Sequence, residues 1–360
     1  MTVVAELHDA HGGTLTTRGG RRVAAHYGRP ERVHRAVRNV VGTIEMGYGV
    51  LEVTGEDRVE FVDNAVSNRV PDADGRGVYA LLLDPQGRIE TELYVYNADE
   101  RLLCFVPPGS AAALAEEWNE KTFIQDVTVR AATDDFGVFG VHGPKATEKI
   151  ASVLTGPGSP DDPLSFVRGS IGDWGATVVR TDDLTGEEGY EVVCAAEDAS
   201  EVFDALINHG LNAAPFGYRT LEYLLLEAGT PLFETELSGQ VPNVLGIRNA
   251  LDFEKGCYVG QEVVSKIENR GQPSRRLVGL RPEAVPESGS AVFEDDTHVG
   301  EVTRADHSPA LEAPIAMALV EYGLEAATVT VRIDGEATPA GVVELPFLEG
   351  SARSRRLPRY

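Results

Sequence analysis

The run Lys255-Gly256-Cys257-Tyr258-Val259-Gly260-Gln261-Glu262 places a thiol between two glycines, with a lysine two residues ahead of it. Val263, Val264 and Ile267 follow with the i, i+1, i+4 apolar spacing of a short helix buried on one side. Gly256 and Gly260 permit a tight backbone path. A cysteine near a helix N-terminus and a lysine carries more thiolate than a free one. A glycine-rich turn that merely holds a small apolar residue would read the same way.

Working outward, 360 residues are enough for two or three domains with sizeable cores. No apolar run approaches the roughly 18 residues of a membrane span, and the first 22 residues lack the basic-then-apolar order of a signal peptide. These features predict a cytoplasmic protein with no membrane partner. The 57 acidic against 32 basic residues give a net charge of −25, which argues against nucleic acid as a partner because that needs a basic footprint. Only five of the basic residues are lysines, and such an acidic, lysine-poor surface resembles that of halophilic proteins, where salt screens self-repulsion. Acid pairs such as Asp161-Asp162 and Asp295-Asp296 then read as solvated surface. The three cysteines form no Cys-x-x-Cys, and Cys104 and Cys194 sit in apolar strand-like runs. A sparse, odd set suits a reducing compartment. The eight histidines show no metal-ligand spacing, so no metal is expected.

Along the chain the first thirty residues are polar and glycine-rich and predict an extended arm. A helix over 34–41, a strand over 49–53, a helix over 57–66, a hairpin of 78–83 with 89–96 around Asp84-Pro85-Gln86-Gly87, and a helix over 110–119 make a first α+β unit. A second opens with Phe136–Val141, then the turn His142-Gly143-Pro144 and a helix. It continues through a loop at 157–173, strands at 176–181 and 189–194, and helices at 199–209 and 220–228. From Leu277 onward short strands alternate with turns, as in a small barrel or sandwich. The basic tail Arg353-Ser354-Arg355-Arg356 is expected to be disordered or bound to the surface.

Lys-Gly-Cys-Tyr-x-Gly-Gln-Glu resembles the signature of the YgfZ family, folate-binding proteins linked to assembly and repair of iron–sulfur clusters. That family shares a superfamily with the glycine-cleavage T-protein, an aminomethyltransferase. Thr185-Gly186-Glu187-Glu188-Gly189-Tyr190-Glu191 and Glu227-Ala228-Gly229-Thr230-Pro231-Leu232 resemble two superfamily motifs, and Val141-His142-Gly143-Pro144-Lys145 a third, with histidine in place of glutamine. The resemblance implies an α+β fold: two ferredoxin-like domains and a C-terminal β-barrel around a central folate-binding cavity. It places the units at 1–132, 133–272 and 273–360.

The resemblance also implies roles. Glu191 would grip the N–H and NH2 edge of a pterin, a bidentate charge-assisted contact, with Tyr190, Tyr79 and Arg219 as further cofactor contacts. Thr91 and Glu92 stand where T-proteins carry an Asp-Asp pair, one of which is needed for aminomethyl transfer. Leu221 and Leu225 stand where T-proteins carry arginines, so Arg219, Arg248 or Arg270 would hold the folate tail. Cys257 would act as a nucleophile, a sulfur carrier or a transient iron ligand, with Lys255 stabilising its thiolate. One thiol alone cannot hold a cluster, which takes four. The function expected first is YgfZ-like and tetrahydrofolate-dependent, serving iron–sulfur client enzymes. The alternative is an aminomethyltransferase acting on a lipoyl carrier protein.

Overall fold

The computed structural model describes residues 2–360, the side chain of Arg270 excepted. Strand residues alternate between two cores, and that alternation sets the architecture. The first sheet runs Arg76–Leu83, Ile89–Asn97, Arg101–Val106, Gly49–Thr54, Thr128–Ala131 in spatial order, all neighbours antiparallel. Leu51, Val53, Leu93, Val95, Leu102 and Cys104 face helices Arg58–Ala65 and Ala111–Lys121, burying Phe61, Val62 and Trp118. Tyr79, Leu81, Tyr94, Tyr96 and Phe105 face the other way. At the hairpin turn the Asp84 carboxylate accepts the N–H groups of Gln86 and Arg88 at 2.8 and 2.9 Å.

The second sheet has seven strands: Leu154–Thr155, Phe166–Ile171, Trp174–Arg180, Gly189–Ala195, Phe136–His142, Gly42–Glu45 and Ala214–Pro215. Phe139, Val141, Tyr190 and Val192 pack under helices Ala146–Val153 and Ala199–Asn208, while Val138, Val179 and Val193 join the core shared with the first sheet. Gly42–Glu45 precedes the first unit in sequence but pairs with Phe136–His142, so residues 1–132 do not all belong to one sheet. The segment expected as loop at 157–173 contains strand Phe166–Ile171, paired with Trp174–Arg180. Its only buried apolar residues are its ends, Phe166 and Ile171, which leaves little hydrophobic pattern to read.

Two polar segments depart from expectation. The first thirty residues form helix Ala5–Ala10 and a hairpin of Thr14–Arg18 with Arg21–His26. Buried His8 reaches Tyr27 at 2.5 Å and Glu45 at 2.7 Å, so polar contacts as well as apolar ones anchor the arm. The basic tail is likewise held, and its Ser354 and Arg356 are buried.

The C-terminal unit is a closed six-stranded barrel in the order Arg275–Pro282, Ala313–Glu321, Thr297–Ser308, Ala291–Glu294, Thr328–Ile333, Glu336–Val343. It joins the sheets through Glu227, the last residue of helix Tyr218–Glu227. That fully buried carboxylate accepts His34 Nε2 at 2.7 Å, Arg38 Nη2 at 2.9 Å, Ser308 Oγ at 2.6 Å and the Ala310 N–H at 3.2 Å. Burial pushes its carboxyl up, but the His34 hydrogen bond and the Arg38 charge outweigh that and hold it below the usual range. No helix among the described residues is long and apolar enough to cross a membrane.

Glu227→Ala leaves His34, Arg38 and Ser308 without their acceptor. It is expected to cost about 3–5 kcal/mol in urea unfolding. Because the Glu227 carboxyl is depressed, its contribution is present above the ordinary carboxylate range and fades as pH falls below it. The wild-type advantage over the variant should therefore shrink on acidification.

Candidate active site

A cavity of about 830 Å3, its open mouth included, lies between the inner face of the first sheet and helix Tyr218–Glu227; Glu191 is not among its lining residues. Tyr48, Tyr94 and Phe105 form an aromatic wall. Leu184, Leu221, Leu225, Leu232 and Phe233 complete an apolar collar, with Glu92 and Arg356 among the polar lining and Arg18, Glu222 and Glu234 grouped as a linked set.

Arg356 organises the polar group. Its guanidinium bonds Asp182 at 3.1 Å and Glu92 at 2.9 Å, donates to the Tyr94 hydroxyl, and lies 4.2 Å from the Tyr79 ring centroid. Arginine suits this place because its planar fork serves several acceptors while stacking on a ring. The tail is pinned by the Ser354–Thr230 hydroxyl pair at 2.9 Å and by the Arg355 N–H to the Asp182 carbonyl. Sequence reasoning missed Arg356. The only signal was the tail's positive charge in a strongly acidic chain.

Glu191 stands on strand Gly189–Ala195, on the same face as Val193 and opposite Tyr190. It is buried, and its Oε2 has no hydrogen-bond partner. Burial raises its carboxyl to about 7, against the lowering effect of the Tyr48 hydroxyl; Asp182 adds to the rise and Arg356 opposes it. An unpartnered carboxylate oxygen in such a place is costly unless a donor arrives.

The other expected residues scatter. Glu92 shares the inner face with Tyr94, and its carboxylate accepts the Tyr79 hydroxyl at 2.6 Å as well as Arg356. Tyr79 is buried beside it and does not line the cavity. Tyr190 points into the opposite core, where its hydroxyl meets Thr147 at 2.8 Å, because neighbouring strand residues face opposite ways. Arg219 bonds Asp306 at 2.6 Å and stacks on Tyr223, and Arg248 pairs with Glu268 at 2.5 Å; neither lines the cavity. The Arg270 side chain lies outside the described residues. His142 is buried, and burial lowers it to about 4, with Arg180 adding to the effect, so its ring stays neutral.

Lys255 and Cys257 separate. The Lys255 ammonium is buried among the carbonyls of Asp63, Val66 and Asn68, the last two at 2.9 and 3.0 Å, just past the end of helix Arg58–Ala65. It caps that helix end, where a cation is favoured. Burial lowers its pKa, partly offset by the Asp63 carboxylate at 3.3 Å. Cys257 is exposed, is not part of the cavity lining, and receives no hydrogen bond from Lys255 among the described residues. Gly260, at φ 80°, lies so near the 84–87 turn that a Cβ would fall 2.6 Å from the Asp84 carbonyl oxygen. The two-residue spacing suggested a thiol–amine pair; the fold instead sends the ammonium inward and leaves the thiol outside.

Comparison with known proteins is consistent along the chain. Residues 4–255 match the family described as the GCVT N-terminal domain, and residues 275–349 match the glycine cleavage T-protein C-terminal barrel domain. Cys257 falls between the two matches. An aminomethyltransferase of Streptomyces coelicolor is 32% identical, covering 96% of this chain and 96% of its own. One of Saccharopolyspora erythraea is 30% identical over 98% and 99%. The crystal structure of glycine cleavage system aminomethyltransferase T from Bartonella henselae superposes with a TM-score of 0.85, at 23% identity over 98% of each chain.

Lys255→Met removes the donor for three carbonyls and should cost about 2–3 kcal/mol of stability. Cys257→Ala should stay within about 0.5 kcal/mol of wild type. Chemical denaturation of the two variants checks both.

Proposed function

The chain belongs to the glycine cleavage T-protein family, and on that premise we propose that it is a tetrahydrofolate-dependent aminomethyltransferase. The observation that carries the reading is Glu191, a buried carboxylate with an unpartnered oxygen that lies beside the Tyr48 hydroxyl of the cavity wall, behind the lining rather than in it. A pterin edge offers the paired N–H donors such an acid lacks, and its flat ring suits the Tyr48 and Tyr94 side. The residues present therefore fit a reduced folate.

Tetrahydrofolate supplies the amine that accepts a one-carbon unit. Glu191 would orient the ring. Glu92, fixed by Tyr79 and Arg356, would take a proton from the donor's ammonium or hold developing positive charge. The apolar collar keeps water from the reacting carbon. The donor would be the aminomethylated lipoyl arm of a carrier protein.

A second reading, YgfZ-like support of iron–sulfur enzymes, is favoured by the exposure of Cys257 within its octapeptide. A solvent-facing thiol can pass sulfur or lend one ligand to iron on a client, which must supply the rest. Two assays separate the readings. Release of ammonia and methylene-tetrahydrofolate from an aminomethylated lipoyl carrier supports the first. Complementation of a YgfZ-deficient bacterium by wild type but not by Cys257→Ala supports the second.

Glu92→Gln should lower kcat by about 100-fold or more, as expected when a proton-handling group is lost. Glu191→Gln should weaken tetrahydrofolate binding about 10–100-fold. Wild-type affinity should fall towards about tenfold per pH unit below about 7, as Glu191 takes up its proton, and the variant should lose that dependence. The same raised carboxyl stabilises the empty fold at low pH and loses that contribution as pH rises from the ordinary 4.5 towards 7. Glu191→Gln should therefore be more stable than wild type at pH 8, by an amount on the order of 2 kcal/mol. Calorimetric titration and thermal unfolding across pH read both effects.

A further inference from the structure

Away from the candidate active site, a polar groove lies where the linker helix, the last residues of the chain and the barrel meet. It consists of two hollows, of about 610 and 670 Å3 with their open mouths included, which share Gln272, Tyr322 and Tyr360. No residue that lines the active-site cavity contributes to either. Three aromatic side chains stand in the groove, Phe253, Tyr322 and Tyr360. The Tyr360 hydroxyl donates to the Val244 carbonyl at 2.9 Å and accepts the Leu277 N–H at 2.6 Å. That fixes its ring edge-to-face against Tyr322, with 5.9 Å between centroids.

Charge in the groove runs against that of the chain. In a protein of net charge −25 the lining holds three guanidinium groups, Arg248, Arg276 and Arg359, against the carboxylates of Glu268 and Glu325. Glu268 is spent on Arg248, at 2.5 and 3.0 Å, and Arg248 also stacks 5.2 Å from the Phe253 centroid. Among the described residues no carboxylate pairs with Arg276 or Arg359. Arg276 gives one nitrogen to the Leu324 carbonyl at 2.6 Å, while its Nε is buried without a partner. The Asn243 Oδ1 in the wall is likewise buried and unpartnered. Open donors and acceptors beside fixed rings are left for a ligand that is both polar and flat.

We propose that this groove binds a nucleotide, its phosphates on Arg276 and Arg359 and its base against Tyr322, with the amides of Asn243 and Gln272 reading the base edge. Guanidinium forks match phosphate oxygens two at a time. An aromatic face takes a base by stacking, and an amide offers it both donor and acceptor. A simple anion would use the arginines and leave the rings idle. An apolar ligand would leave the buried nitrogen and oxygen unpaired. The inference is independent of the tetrahydrofolate reading above.

Titration calorimetry of the full chain with ADP and, separately, with inorganic phosphate tests this, each with and without tetrahydrofolate. ADP should bind more tightly than phosphate, and tetrahydrofolate should leave its affinity unchanged. Arg359→Gln, at an exposed side chain, should weaken both ligands about tenfold or more. Tyr322→Ala should weaken ADP about fivefold or more and leave phosphate as it was. Equal affinity for ADP and phosphate, with no effect of Tyr322→Ala, overturns the nucleotide as the ligand class. ADP binding that tetrahydrofolate displaces, or that neither variant alters, overturns the groove as the place. No saturable binding of ADP overturns the proposal as a whole.

Discussion

The centre of this protein depends on one buried cation. Glu92, Asp182 and Glu191 would repel one another, and the last two are buried where little water remains to screen them. Arg356 answers that charge from the far end of the chain, bonding two of the three directly. A lone carboxylate in such surroundings would stay protonated. With Arg356 in place, Glu92 is fixed between a guanidinium and the Tyr79 hydroxyl, and Glu191 alone is left wanting a donor. The shape of the site follows from which acid the arginine does not reach.

Similar buried polar junctions hold the remaining parts in register. Glu227 ties an N-terminal helix and a central helix to the barrel, and His8 with Glu45 ties the N-terminal arm to the second sheet. Lys255 ties the linker to the end of a first-unit helix. In each, burial works against the charged group and hydrogen bonds compensate, so removal of one partner is more harmful than the pair's net worth suggests. These junctions also explain why motifs can read as chemistry and yet serve structure. Glu227 and Lys255 belong to short family-like motifs, and both spend their charge on holding segments together.

The octapeptide around Cys257 divides in the same way. Tyr258 is buried, Lys255 caps a helix, and Gly260 lets the linker press on the 84–87 turn. Cys257 and Glu262 are exposed. What faces outward is available to a partner; what faces inward positions the hairpin that carries Glu92.

The sequence by itself determined the elements: the hairpin read at 78–83 with 89–96 around its Asp-Pro-Gln-Gly turn, the helices after Gly143-Pro144 and before Gly229, and the alternating strands of the barrel, since each depends on local periodicity and turn chemistry. It also raised Glu191, through the Thr185–Glu191 motif, and Glu92, where Thr91-Glu92 departs from an Asp-Asp pair, as expectations of role. Strand 166–171 and the N-terminal hairpin escaped because their apolar pattern is thin. Only the tertiary structure decided that Gly42–Glu45 joins the second sheet, that Tyr190 faces the core opposite Glu191, that Lys255 and Cys257 part company, and that Arg356 returns to the centre. These are contacts between residues far apart in the chain, or choices of face set by them. No local pattern encodes such a choice, because its energy appears only once the sheets have met and water has left the space between them.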